Sequence, residues 1–211
     1  MNPRFFLSLV LCLCLNSGLR ADGDLQAQVE TLLGNVTRAG STARMEQTCV
    51  QKWVFDPVVV IQPEIEYQGI LKDVVDSVST ITGLMIPIST DSPRPAIILV
   101  GSGPAKSGKK YKSQCSASRT VDSRCRITGA TVTLPSGLDA ERFRYCLTHE
   151  LLHALGMQGH AWSQLSVMNP DSGVMELSAW DAELLTILYS GSISAGDREK
   201  QLRAVLSGQE N

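Results

Sequence analysis

His149-Glu-Leu-Leu-His-Ala-Leu-Gly-Met-Gln-Gly-His160 is the stretch on which the reading of this 211-residue chain turns, and it holds all three of the chain's histidines. Residues four apart on a helix project from the same face one turn from each other, so His149 and His153 can offer two imidazole nitrogens to one cation. Glu150 then places a carboxylate beside that cation. Gly156 ends the helix and Gly159 eases the turn, which lets His160 swing back toward the same point. Three imidazoles with a fourth position left to water are the ligand set of a catalytic zinc ion. Such an ion lowers the pKa of water and polarises a carbonyl, while an adjacent carboxylate moves the proton. The pattern assigns His149, His153 and His160 as metal ligands and Glu150 as general base. A lone histidine on an apolar face is more often a satisfied core residue, but here three coincide with an acid in register.

Working outward, Ser136 is a candidate N-cap of the motif helix, with Asp139 completing a capping box, and Leu147, Leu151, Leu152 and Leu155 anchor its far side. Downstream, Ser178 and Asp181 cap a helix whose Trp180, Leu184, Ile187 and Leu188 face inward. Leu202, Val205 and Leu206 mark a last short helix. Upstream, Leu25, Val29, Leu32, Leu33 and Val36 recur at helical spacing up to about Gly40. Trp53–Ile61 reads as a strand that Pro57 demotes to an edge or a bulge. Ile70, Leu71, Val74, Val75, Val78 and Ile81 form one helix face that Gly83 closes, and Ala96–Val100 is a wholly apolar central strand. Ala130, Val132 and Leu134 alternate with threonines as a strand buried on one face. This periodicity supports mixed α and β structure and no more.

The polar run from Gly101 to Arg126 is long enough to require a function or a tether. Within it, Gly103 to Lys109 has the spacing of a phosphate-binding loop, but Lys110 stands where the magnesium-binding hydroxyl belongs and no apolar helix follows, which argues against a nucleotide.

Arg4 followed by the apolar run Phe5–Leu15 and by Ala21 predicts a secretion signal over residues 1–21, too short to span a bilayer stably. Residues 22–45 are then an N-terminal helical segment and residues 46–211 the catalytic domain. Four cysteines remain, an even number in an exported chain, and they predict two disulfides in a secreted or periplasmic protein. Of the three possible pairings, closeness along the polar loop favours Cys115–Cys125, leaving Cys49–Cys146. Metal ligation is a rival role for Cys146, one turn before His149. Losing Arg4 and Arg20 with the signal moves the net charge from −2 to −4. That mild acidity gives no reason to expect nucleic acid or a membrane as partner, and a monomer acting on a peptide or protein is expected.

The motif resembles that of the metzincin zinc endopeptidases, His-Glu-x-x-His-x-x-Gly-x-x-His followed by a methionine-containing turn, for which Ser166-Val167-Met168-Asn169 stands here. Three residues rather than two separate Gly156 from His160. The resemblance implies an α+β, zincin-like fold: a twisted mixed, mostly parallel sheet with helices packed on it, an active-site helix, the Met-turn and a small helical C-terminal subdomain. It also implies that Ala130–Leu134 is the upper sheet edge against which a peptide lies, and that Met168 forms a floor beneath one Zn2+ ion. The Gly-His pair, the Ser-Val-Met-Asn turn and the Leu-Ser-x-x-Asp-x-x-Leu-Leu helix also look like a family of exported bacterial proteins of unassigned function, over roughly residues 50 to 206. The function expected is an exported zinc endopeptidase working through metal-activated water. The alternatives are a zinc amidase or peptidase of cell-wall peptides and a non-catalytic module stabilised by zinc.

Overall fold

Branched residues run unbroken through Val58–Ile61 and Ala96–Val100, and such runs are stable as strands where both faces are covered. The computed structural model describes residues 22–34, 49–62, 65, 67–91, 96–104, 115–161 and 165–208. In it these runs become β1 (Val58–Ile61) and β3 (Ala96–Pro104) of a five-stranded sheet. The other strands are β2 (Ile88–Ser89), β4 (Ser116–Val121) and β5 (Ile127–Ser136), in the order β2-β1-β3-β5-β4. Every neighbouring pair is parallel except β4 with β5, which form an antiparallel hairpin. Among the described residues five helices accompany the sheet: α1 (Asp22–Leu33), α2 (Gln68–Thr82), α3 (Ala140–Ala154), α4 (Ala179–Tyr189) and α5 (Glu199–Leu206). The chain is therefore α+β with a mixed, mostly parallel sheet.

One continuous core joins α1, the sheet and α2 to α5, with Val29, Trp53, Leu71, Leu99, Val132, Leu151, Leu184 and Leu202 among its members. The sequence accounts for most of it. Helix α2 buries Leu71, Val74, Val75 and Val78, and Gly83 closes it in the left-handed conformation at φ 71°. Ser178 and Asp181 form the expected capping box of α4, and Leu202 and Leu206 are the buried face of α5. Helix α1 ends at Leu33, with Gly34 following at φ 79°. Val36, Gly40, the proposed signal and Lys106–Lys112 lie outside the described residues. No helix among the described residues is long and apolar enough to cross a membrane.

Four expectations are corrected. The strand expected over Trp53–Ile61 begins only after Pro57, which has no N–H for a ladder, and it is interior rather than an edge because β2 pairs on its far side. The polar run Gly101–Arg126 contains β4, whose residues alternate exposed and half-buried, so its polarity reflects a strand with one wet face. Ala130–Leu134 lies within β5 and is hydrogen-bonded on both sides, so the sheet edge belongs to β4. The N-cap of α3 is Asp139, whose side chain accepts from the N–H of Arg142, while Ser136 ends β5 and Gly137 turns the chain at φ 75°.

The disulfides are Cys49–Cys125 and Cys115–Cys146, not Cys115–Cys125 and Cys49–Cys146. The physical reason is the hairpin. Cys115 precedes β4 and Cys125 lies in the turn after it, so six residues of extended strand, about 20 Å, separate them. Cys115 instead faces Cys146 of α3, which removes Cys146 as a metal ligand. Peptide mapping of unreduced protein should recover these two pairs. Replacing Cys115 and Cys146 together by serine should cost about 3 kcal/mol in chemical denaturation, and recovery of a Cys115–Cys125 peptide would refute the topology.

Candidate metal centre

Helix α3 is buried on nearly every side, and its last two turns carry polar groups into the interior. His149 and Glu150 are each only 6% exposed. The capped N-terminus, with Glu141 in its first turn, suits the helix dipole, and the leucines around His149 pack on the sheet. Beyond Ala154 the chain turns through Leu155 and Gly156 and brings His160 alongside. The ligand nitrogens of His149, His153 and His160 lie within 4.8 Å of one another. Their ring centroids are 4.9, 5.2 and 5.1 Å apart. A tetrahedral zinc site wants nitrogens roughly 3.4 Å apart, so side-chain movements of less than about 1 Å close the triad on an ion.

Two backbone carbonyls fix which nitrogen each helix-borne ring presents. His149 Nδ1 lies 2.9 Å from Val167 O, and His153 Nδ1 lies 2.7 Å from Met157 O. A carbonyl oxygen only accepts, so each Nδ1 carries the proton and donates it, which leaves the Nε2 lone pair free for a metal. Desolvation favours the neutral form of His153 and His160. Desolvation, followed by the neighbouring His149, lowers the pKa of His153 to about 3, and desolvation lowers that of His160 as well. Desolvation also lifts Glu150 from 4.5 to about 7, opposed by a hydrogen bond from the Ala117 N–H of β4. A buried acid with so few partners is characteristic of functional sites rather than of packing.

The extra residue before His160 is absorbed by close backbone contacts. Gly156 sits at φ 116°, and a Cβ there would meet the Gln51 carbonyl oxygen at 2.0 Å. A Cβ on Gly159 would meet Glu30 O at 2.1 Å, and its N–H donates to Thr31 O at 2.9 Å. On the other side of His160, the Ala161 N–H donates to Met168 O at 3.2 Å. Gln158 Nε2 donates to Cys49 O at 2.6 Å. His160 is thus held by α1 on one side and by the Ser166–Asn169 turn on the other.

That turn is itself secured by Asp181, which is fully buried. Its carboxylate accepts from Ser166 Oγ, from the Val167 N–H at 3.0 Å, and from both the N–H and Oγ of Ser178. The sequence identifies Asp181 as a cap, but its hold on the carbonyl that orients His149 depends on a long-range contact. Likewise the carbonyls at the end of α3 are taken by residues that spacing did not single out. Trp53 Nε1 donates to Ala154 O at 3.0 Å, Tyr189 Oη to Leu155 O at 2.7 Å, and Arg119 Nη1 to His153 O and Met157 O.

The family model described as "Protein of unknown function (DUF2927)" matches residues 66–208, more than half of the chain. No curated protein matches it.

Two outcomes test the geometry. The raised Glu150 means that the folded, metal-free protein holds this proton more tightly than the unfolded chain does. Its contribution to stability is therefore full below pH 4.5 and is lost as pH rises through about 7. Metal-free Glu150→Gln should match wild type below pH 4.5 and exceed it above pH 7 by up to about 3 kcal/mol in urea denaturation. Gly156→Ala should cost at least about 2 kcal/mol by the same measurement, since both its φ and its contact with Gln51 forbid a side chain. A neutral effect would show that the turn is built differently.

Proposed function

The chain belongs to the DUF2927 family, and for it we propose a zinc-dependent endopeptidase of the metzincin kind that works in the periplasm or outside the cell. The observation that carries this reading is the convergence of three imidazoles beside the buried carboxyl group of Glu150. The donor set fits zinc: borderline-soft nitrogen ligands, three in number, with Nδ1 bonded to backbone oxygen on both helical histidines. Bound among them, zinc supplies Lewis acidity and brings water toward ionisation at neutral pH.

The chain's own groups do the rest. Glu150 takes the proton of the attacking water and passes it to the departing amine, a task suited to a buried carboxyl group beside the three imidazoles. Ala117 places β4 against Glu150, and the outer edge of β4 pairs with no other strand among the described residues. An extended peptide adding to that edge lies with its backbone next to the base. Met168, fully buried in the turn whose Val167 carbonyl orients His149, takes the part of the floor methionine. Two disulfides accord with an oxidising compartment.

Metal analysis of purified protein should find one zinc per chain and markedly less in His160→Ala. Glu150→Gln should keep the zinc and lose about 10²–10⁴-fold in kcat on a peptide library. Parallel assays on purified peptidoglycan separate proteolysis from cell-wall peptide hydrolysis. A Glu150→Gln protein that keeps both its metal and full activity would falsify the mechanism.

A further inference from the structure

The side chain of Arg119 leaves the edge strand β4, passes beneath the end of α3 and donates from Nη1 to His153 O and, at 3.2 Å, to Met157 O. Met157 O is the same oxygen that receives the Nδ1 proton of His153 at 2.7 Å. Met157 also opens the three-residue link that ends in His160. One guanidinium is therefore bonded both to the backbone of a metal ligand and to the carbonyl that orients that ligand's ring.

We propose that Arg119 is a positioning residue of the metal centre, setting the Met157 carbonyl and with it the ring of His153 and the path to His160. This rests on the metal reading above and assigns the residue that makes the longer link workable.

A bare helix cap is the simpler role, and two observations favour more. Trp53 and Tyr189 already satisfy the last helix carbonyls, at Ala154 and Leu155, and neither touches an oxygen used by a ligand ring. In addition, Arg119 is half-buried, and no carboxylate among the described residues pairs with it. Its charge faces the negative end of α3 instead. A fixed cation so near a metal site opposes metal binding by repulsion, so its presence is favourable only if the geometry it imposes is worth more. Both bonds leave the one nitrogen Nη1, whose two N–H groups serve the two carbonyls. Ala117 and Arg119 are alternate residues of β4, so the strand that meets the base also fixes the ligand, and Cys115–Cys146 pins its beginning to α3.

The test uses the full chain as wild type, Arg119→Met, Arg119→Lys and Tyr189→Phe. Three quantities are measured: zinc affinity by chelator competition, the visible absorption of the cobalt-substituted protein, and the Tm of the metal-free protein. Arg119→Met should bind zinc about 10–100-fold more weakly, with altered cobalt bands, and Arg119→Lys should recover part of the loss. Tyr189→Phe should lower Tm while holding zinc affinity within about twofold of wild type. The assignment fails if Arg119→Met binds zinc as tightly as wild type with an unchanged cobalt spectrum, or if Tyr189→Phe loses as much affinity. If Arg119→Met does not fold, Arg119→Lys against Tyr189→Phe makes the same comparison. Wild type that takes up neither ion overturns the metal reading itself, a result separate from either of those.

Discussion

The interaction on which the centre depends is the hydrogen bond from the outer nitrogen of each helical imidazole to a main-chain carbonyl. Val167 O holds His149 and Met157 O holds His153. A ring on a helix is free to rotate about its side-chain bonds, and only a partner on its far nitrogen fixes both its orientation and its tautomer. The architecture around α3 keeps those two oxygens in place. Asp181 anchors the turn that contains Val167, and Arg119 anchors Met157.

Taking Glu150 and His153 out of water opposes folding of the metal-free chain. Glu150 meets a single backbone N–H, and His153 cannot take a proton until far below its ordinary pKa. Both effects arise from desolvation, so both ease when a cation enters and gives the lone pairs and the carboxylate a partner. Two cross-links hold the walls meanwhile, one joining α3 to the start of β4 and the other joining the turn after β4 to Cys49.

Local rules account for what was legible in the sequence. Helical spacing gave His149, Glu150 and His153, an unbroken apolar run gave the central strand, and Ser178 with Asp181 gave a cap. His160 was found in spite of its irregular spacing, because glycines mark a turn by their conformational freedom. What failed was nonlocal. Polarity disguises β4 as a loop, the metzincin resemblance puts the sheet edge on Ala130–Leu134, and chain distance pairs the cysteines wrongly. Arg119, Trp53 and Tyr189 carry no local signal, since each acts on a carbonyl far along the chain and only the assembled fold brings them together.

Helix α1 has a consequence for the order of events during synthesis. Its Thr31 carbonyl is made early, yet the N–H that it receives belongs to Gly159, and Asp181 comes later still. A nascent chain therefore cannot gather its three histidines into one cluster until almost its whole length has been made, so the order of synthesis leaves them apart through most of translation.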